Sequence, residues 1–354
     1  MARAERIRLI RELEQQRSSR IICYLTGDRR GFETKIAPDI LTYFYEHLLE
    51  IGKVDAIDLF LYSTGGLTMA GWRIVSLIRE FCKKFSVLVP FKAQSCASLI
   101  SLGADEIVMT KMGELSPIDP SVTTPFNPAV SPAPTPGPSG KIVPVNVEDV
   151  VGYFKLAKEQ AGFTKPEELD KVFANLASNI HPLALGSVYK ARLQIRMLAE
   201  KLLKMHLSGE QKIKKIIKAF TEELYSHDYL ISRDEAKNKI GLSSVTEPNT
   251  ELETKIWNLY RKYENDLEIN SIFNADVFLG ETNERTLIAN RAYIESLPKS
   301  HVFQTRKILR RVTQAGPVAA PGVPQRVVGM IQERTLSEGW IEESARGQEG
   351  ENNA

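Results

Sequence analysis

The sequence is poor in cysteine, lacks a long apolar run and has almost no excess of charge of either sign. Only Cys23, Cys82 and Cys96 are present among its 354 residues, and their wide spacing fits a reducing compartment and matches no metal-ligand pattern. No stretch approaches the roughly 18 apolar residues that a membrane-spanning helix needs. Because 46 basic residues stand against 44 acidic ones, no global attraction to nucleic acid or acidic lipid is expected.

The amino terminus has none of the features of a secretion signal. Residues 1–20 are rich in arginine, glutamate and glutamine and contain no apolar core of the kind that signal peptides have. The composition, 43% hydrophobic and 25% charged, is that of an ordinary globular protein. We therefore predict a soluble, cytoplasmic protein that binds no nucleic acid.

Strand and helix patterns alternate up to residue 109. Short apolar runs bounded by turn residues predict four buried strands, at residues 20–25, 56–62, 85–91 and 106–109. The segments between them have apolar residues at helical spacing, and a charged helix is expected at residues 4–17. Strands that alternate with helices of about 10–15 residues favour an α/β fold with parallel strands and right-handed crossovers.

The rest of the chain is predicted to contain a proline-rich loop, a helical region and a tail. Residues 116–144 hold half of the 18 prolines, so they form either a linker between domains or a flap beside a site. Helical spacing then continues to about residue 311, and residues 228–242 predict a turn, a short helix and a glycine cap. Composition predicts a linker and a disordered tail beyond it. The predicted domains are an amino-terminal helix (1–20), one α/β domain (21–312) and the tail (313–354).

The motif STGG at residues 63–66 follows the predicted strand that ends at Tyr62. A glycine pair permits a sharp turn and leaves the N–H of Gly65 or Gly66 pointing into open space at a helix start, where partial positive charge collects. Such N–H groups can stabilise a developing oxyanion. A Gly-Gly turn that enters a helix is also a common structural feature, so this motif alone does not establish a function.

A second turn of this kind begins at Ser95, about 30 residues later, in the segment AQSCASLISLGADEI. A serine at a helix start is usually a helix cap. Here, however, small neighbouring residues would let a carbonyl group approach, and the serine would lie at the edge of the sheet where α/β folds bind ligands. The backbone N–H of Cys96 could then join that of Gly65 or Gly66 around an oxyanion.

Together the two turns resemble those of the Clp-protease/crotonase superfamily, which includes signal peptide peptidase A, and especially those of the serine dehydrogenase proteinase family. The resemblance covers residues 10 to 310 approximately and rests on LFLYSTGG, SCASLISLGADEIVM, GELSPIDPS and NIHPLALGSVYKAR. It implies a Clp-protease/crotonase-like α/β fold of repeated ββα units, here with a helical carboxy-terminal extension. It also implies a serine peptidase that needs no cofactor, and the chain has no dinucleotide-binding fingerprint.

The resemblance places the nucleophile at Ser95, whereas Ser98 and Ser101 lie deeper in the helix as packing residues. The order Ser, Asp, His along related chains implies Asp119 and His181 as the other two members of a triad, with His181 as the general base. Both residues also have structural explanations, as turn and helix caps. The alternative base is a lysine, as in signal peptide peptidases, and Lys155 or Lys158 lies where it would fall.

Three functions remain open at this point. The leading one is hydrolysis of a peptide or protein substrate through an acyl-enzyme on Ser95, without a metal or organic cofactor. The second is a non-catalytic scaffold that binds a partner, with an amphipathic amino-terminal segment compatible with peripheral membrane association. The third is a crotonase-type reaction on a coenzyme A thioester. Relatives of this fold form rings or stacked trimers, so the resemblance also implies a homo-oligomer.

Overall fold

A large mixed sheet with helices on both faces forms the centre of the molecule. The computed structural model describes residues 2–118, 121–122, 124–127, 129–130, 141–142, 145–224, 226, 228–315 and 327–343. The strands are β1 Arg20–Thr26, β2 Val54–Tyr62, β3 Cys82–Val89, β4 Lys92–Ala93, β5 Glu106–Met109, β6 Glu114–Leu115, β7 Ser121–Val122, β8 Ala129–Val130, β9 Lys141–Ile142, β10 Val145–Asn146, β11 Ile231–Ser232, β12 Val245–Thr246, β13 Glu284–Glu295, β14 Ser300–Ala315 and β15 Val327–Glu342.

The helices precede, separate and follow these strands. They are α1 Ala2–Arg17, α2 Ile40–Ile51, α3 Thr68–Arg79, α4 Cys96–Ser101, α5 Val147–Lys155, α6 Pro166–Asn179, α7 Pro182–Leu203, α8 Glu210–Lys218, α9 Thr250–Asp266 and α10 Ala275–Leu279. Short π-helical segments occur at Leu156–Gln160, Ala219–Glu223 and Glu235–Ile240. None of these helices is long and apolar enough to cross a membrane.

Parallel strands make up one half of the central sheet, whose order is β12-β5-β3-β2-β1-β13-β14-β15. Neighbouring strands from β12 to β1 run parallel. Helix α2 connects β1 to β2, and α3 connects β2 to β3. The predicted alternation of strands and helices is therefore confirmed in this part of the chain, which is a mixed α/β structure. A ββα arrangement occurs at β3, β4 and α4.

The two faces of the sheet bury different side chains of the same strand. In β1, Ile22 and Tyr24 face α2, α3, α4, α7 and α8, whereas Ile21, Cys23 and Leu25 face α1 and α9. This alternation follows from the two-residue period of a strand. A buried parallel strand is apolar on both faces, which is why the apolar runs of the sequence located these strands.

A three-stranded sheet in the order β11-β6-β4 lies beside the carboxyl ends of the parallel strands. β4 runs parallel to β6, with Ala93 opposite Leu115, and β6 pairs antiparallel with β11. Since Ser95 follows β4 by two residues, this small sheet positions the start of α4. The short helical segment before Gly241 ends at that glycine with a positive φ of 88°, so the glycine cap predicted there is confirmed.

The prediction of helices up to residue 311 holds for much of residues 147–279 and is wrong beyond them. β13 and β14 are long antiparallel strands, and β13 pairs with β1. Leu287 and Ala289 are buried while Ile288 between them is exposed, which is the period of a strand. Neither β13 nor β14 is apolar enough to resemble the buried parallel strands, so the sequence does not identify them as strands.

The predicted linker and disordered tail also differ from the structure at residues 327–342. This segment is β15, the outermost strand of the sheet, and it pairs with β14 from Val327 to Glu342. Most of its described side chains are exposed, so its composition resembles that of a tail. Residues 316–326 and 344–354 lie outside the described residues.

Candidate active site

Two strand-to-helix turns meet at the carboxyl ends of β2 and β4. The N–H of Ser63 donates to the carbonyl of Lys92 over 2.8 Å, and the N–H of Gln94 donates to the carbonyl of Ser63 over 2.9 Å. The turn at Gly65 and Gly66 is thereby tied to the turn at Ser95. The juxtaposition that the sequence predicted for these two turns is what the structure contains.

Gly65 touches the side chain of Ser95 so closely that no side chain could replace its hydrogen. A Cβ atom at Gly65 would lie 2.7 Å from the Cβ of Ser95 and 3.0 Å from its Oγ. A Cβ atom at Gly66 would lie 2.2 Å from the carbonyl oxygen of Ile36. Both glycines also have positive φ, 114° and 153°, so close approach and backbone conformation each require glycine.

Ser95 has a strained backbone, with φ 51° and ψ −114°. It is the residue at the turn from β4 to α4, and its side chain makes no capping hydrogen bond to the helix. Its N–H donates to the Oγ of Ser116 over 2.8 Å. Strained non-glycine residues cluster at active sites, and a serine on a sharp strand-to-helix turn is the arrangement that exposes a nucleophilic Oγ. Ser95 is partly exposed, as a nucleophile must be.

Ser98 and Ser101 are fully buried and their hydroxyls are used within the fold. Ser98 Oγ donates to the carbonyl of Ala93 over 2.7 Å and accepts the N–H of Ser116 over 2.8 Å. Ser101 Oγ donates to the carbonyl of Ala97 over 2.9 Å. Their positions match the packing role expected for them.

Two backbone N–H groups remain available beside Ser95. Among the described residues the structure records no acceptor for the N–H of Gly66 or Cys96, whereas the N–H of Gly65 donates to Ser63 Oγ over 3.0 Å. Cys96 N–H is at the start of α4, where helix N–H groups are unpaired. Of the three residues predicted to form an oxyanion hole, Gly66 and Cys96 thus present free donors. Burial raises the pKa of the Cys96 thiol to about 12, so this neighbouring sulfur is not a competing nucleophile.

His181 forms other contacts in the structure than the one predicted with Ser95. It caps the start of α7, where its Nδ1 accepts the N–H of Leu183 over 3.2 Å, and its ring stacks on Phe126 at 4.7 Å. Further along α7, Gln194 contacts Met69, close to the Gly65–Gly66 turn. Since α7 rises about 1.5 Å per residue, His181 lies about 20 Å along the helix from this contact. It forms no hydrogen bond with Ser95.

The other residues predicted for the site are Asp119, Lys155 and Lys158. Asp119 lies outside the described residues. Lys155 is the last residue of α5 and is partly exposed, and Lys158 is exposed in the π-helical turn that follows. No group of three or more His, Cys, Asp and Glu side chains among the described residues is arranged to hold a metal ion.

Two serines of the site were not singled out from the sequence. Ser116 holds the N–H of Ser95, and Ser63 holds the N–H of Gly65. Both serines lie in motifs on which the resemblance rests. The functional roles predicted for the two turns concern only their glycines, Ser95 and Cys96. A nearby carboxyl group, Glu114, accepts a hydrogen bond from Gln94 over 2.7 Å, and burial raises the pKa of Glu114.

The sequence of this chain is similar to those of two archaeal proteins and to a family of serine proteinases. The chain is 28% identical over 263 residues to one uncharacterized protein of Methanocaldococcus jannaschii, covering 73% of this chain and 79% of that one. It is 27% identical over 267 residues to a second uncharacterized protein of the same organism, covering 73% and 76%. Residues 1–133 match the family of ClpP-like SDH-type serine proteinases, and the matched region includes both turns but neither His181 nor Lys155. This match over residues 1–133 supports the resemblance of the chain to the ClpP-like SDH-type serine proteinases.

Proposed function

We propose that this protein is a serine peptidase that cleaves peptide or protein substrates through an acyl-enzyme on Ser95. The Oγ of Ser95 attacks the scissile carbonyl, and the N–H groups of Gly66 and Cys96 donate to the oxyanion that forms. The general base takes the proton of Ser95 Oγ during the attack and gives it to the amine, which leaves as the C–N bond breaks and an ester forms on Ser95. Water, deprotonated by the same base, then hydrolyses the ester, which releases the carboxylic acid and restores the Ser95 hydroxyl. These steps need no metal or organic cofactor.

The observation that carries the proposal is the strained backbone of Ser95 next to Gly65. A positive φ in a serine costs free energy, of order 1–3 kcal/mol, and persists only where surrounding contacts impose it. Here the contact with Ser116 imposes it, and the result is a partly exposed hydroxyl beside two unpaired N–H groups. A serine that only capped α4 would use its side chain for the cap, which Ser95 does not.

Labelling with a fluorophosphonate tests the nucleophile. We expect one adduct, located on Ser95 by mass spectrometry, and none in Ser95→Ala. Ser101→Ala is the matched control, because it removes a buried hydroxyl from the same helix and should leave labelling intact. An adduct on another serine, or equal labelling of Ser95→Ala, would contradict the assignment. No adduct on the wild-type chain would favour the scaffold function.

For the general base we propose His181, oriented by Asp119, with Lys155 as the alternative. The structure records no hydrogen bond between His181 and Ser95, so the use of His181 as a base requires its imidazole to come within hydrogen-bond distance of Ser95 Oγ. The variants His181→Ala and Lys155→Ala separate the two proposals. Loss of Ser95 labelling only in the first supports a Ser–His enzyme, and loss only in the second supports a Ser–Lys enzyme.

We also propose that copies of the chain assemble into a homo-oligomer. One side of α7 exposes large apolar side chains, at Leu183, Tyr189, Leu193 and Met197. Contiguous exposed apolar surface of this kind is typical of interfaces. Analytical ultracentrifugation of the purified chain at micromolar concentration measures the assembly directly, and a monomer would contradict it.

A further inference from the structure

Ser63 stands between the oxyanion turn and the nucleophile turn, and it is completely buried. Its backbone bonds both to Lys92 and to Gln94, the residue that precedes Ser95. Two residues after Ser63, Gly65 lies against the side chain of Ser95. Ser63 therefore contributes directly to the relative position of the two turns.

The hydroxyl of Ser63 accepts two hydrogen bonds. Gly65 N–H donates to it over 3.0 Å, and Thr26 Oγ1 donates to it over 2.7 Å. A hydroxyl oxygen has two lone pairs, so these two donors use its acceptor capacity. Thr26 is at the end of β1 and is also buried, which connects the oxyanion turn to the centre of the sheet.

The backbone of Gly65 is bonded through both of its polar groups. The N–H of Gly65 points to Ser63, and the carbonyl of Gly65 accepts the N–H of Ile36 over 2.9 Å. Because the N–H and the carbonyl of Gly65 both form hydrogen bonds, Ser63 and Ile36 together fix the orientation of this residue. The next N–H, that of Gly66, is left without a recorded acceptor among the described residues.

We propose that Ser63, supported by Thr26, is a positioning residue for the oxyanion hole, an inference that rests on the peptidase function proposed above. Ser63 does not touch the substrate. It holds the Gly65–Gly66 peptide so that the Gly66 N–H meets the oxyanion without moving during the reaction. Donors arranged before the reaction stabilise a transition state far better than donors that must reorient.

The rate of Ser95 labelling by a fluorophosphonate, resolved into kinact and KI, tests this role. Removal of an oxyanion donor costs about 100- to 1,000-fold in rate, so misorientation of one in Ser63→Ala should lower kinact by roughly 10- to 100-fold. KI should change less than about twofold, because ground-state binding does not use the oxyanion donor. A smaller fall of kinact is expected in Thr26→Val, which keeps the volume and removes the donor, and Thr26→Ser should recover most of the rate.

Ser86→Ala is the matched control, because Ser86 is a fully buried serine of β3 whose Oγ has no recorded partner. It should label at the wild-type rate. If Ser63→Ala does not fold, the labelling rates of Thr26→Val and Thr26→Ser test the inference instead. Wild-type kinact in Thr26→Val, or in a folded Ser63→Ala, overturns the inference. An unlabelled wild-type chain would instead refute the proposed peptidase, and so the two failures are distinguishable.

Discussion

At the scale of single residues, the site requires two glycines, which have no side chain, as well as the side chain of Ser95. Gly65 and Gly66 lack side chains where the backbone of Ile36 and the side chain of Ser95 approach within contact distance. Ser95 itself adopts a conformation that serines rarely adopt, held by Ser116. Free volume and strain thus combine to present one hydroxyl and two N–H groups together.

Gly65→Ala should abolish the reactivity of Ser95. The added methyl group would lie 2.7 Å from Ser95 Cβ at a residue with φ of 114°, so the two turns must separate. We expect fluorophosphonate labelling to fall by more than about 100-fold, since displacements of about 1 Å have this effect, and stability to fall by about 1–3 kcal/mol. Labelling rate and urea unfolding measure the two effects.

Gly186→Ala is the control for this substitution. Gly186 lies within α7, and a Cβ atom there would meet nothing within 4 Å. A glycine-to-alanine change inside a helix should stabilise the protein by about 0.5–1 kcal/mol and leave labelling unchanged. Similar labelling of Gly65→Ala and Gly186→Ala would show that the contact with Ser95 has no functional consequence.

At the scale of secondary-structure elements, α1 is anchored by a buried arginine. Arg6 is fully buried, and its Nε donates to Glu295 Oε2 over 2.6 Å while its Nη2 donates to Glu343 over 2.6 Å. Asp266 pairs with the same guanidinium. The first helix is therefore joined to α9, β13 and the residue that follows β15.

Arg6→Ala should destabilise the protein by about 3–5 kcal/mol, because it removes the buried cation beside Glu295 and leaves that carboxylate with the hydroxyl of Tyr263 and the more distant Arg3. Urea unfolding monitored by circular dichroism measures the change. Arg8→Ala, which removes an exposed pair with Glu12 on the same helix, should cost no more than about 0.5 kcal/mol. Equal effects of the two substitutions would contradict the anchoring role of Arg6.

A buried histidine pair joins α2 to the turn between β13 and β14. His47 Nδ1 lies 2.6 Å from Ser296 Oγ, and its Nε2 lies 3.1 Å from His301 Nδ1. Burial and the neighbouring His301 lower the pKa of His47 to about 3, and burial also lowers the pKa of His301. The charged groups that face the pair are Glu46, Lys299 and Glu342.

This pair should make stability fall with acidification below pH 6.5. The unfolded chain binds protons at both histidines near pH 6.5, whereas the folded chain resists protonation of His47 until about pH 3. The unfolded state therefore binds more protons, and stability decreases by up to about 1.4 kcal/mol per pH unit for each histidine as the pH falls.

Urea unfolding of the wild type and of His47→Asn at several pH values between 8 and 5 tests this prediction. Below pH 6.5 the slope of stability against pH should be smaller in the variant by up to about 1.4 kcal/mol per unit, and above about pH 7.5 the two slopes should coincide. Parallel slopes over the whole range would show that His47 is not the titrating group.

At the scale of the whole molecule, the carboxy-terminal strands complete the sheet. β13 covers the edge of β1, and β15 brings Trp340 back to α2, where its Nε1 donates to Asp39 over 2.9 Å. Trp340 also packs beside Tyr43 and Phe303. Residues far apart in the chain thus support the same region of the structure.

Deletion of residues 327–354 should therefore lower stability substantially. The deletion removes β15, the Trp340 contacts and the Glu343 partner of Arg6. The single substitution Trp340→Ala should cost about 1–3 kcal/mol, less than a fully buried aromatic, and the deletion should cost more. Thermal and urea unfolding measure both. A deletion variant as stable as the full chain would agree with a disordered tail and contradict a structural role of β15.

The parallel α/β part of the fold and the location of the two turns could be predicted from the sequence alone. Apolar runs, glycine pairs and a serine at a helix start act through local chemistry, so their consequences are visible within a few residues. The same is true of the glycine cap at Gly241.

The carboxy-terminal strands, the contacts of His181 and the hydrogen bonds of Ser63 and Ser116 depend on tertiary contacts and could not be predicted from local sequence. β13 is a strand because β1, more than 250 residues earlier, offers it an edge to pair with, and its own pattern is too weak to show this. His181 is predicted from its order in the chain, whereas the structure shows it as the cap of α7, with its Nδ1 accepting the N–H of Leu183. Hydrogen bonds between residues distant in sequence arise from the packing of elements, and no local pattern encodes them.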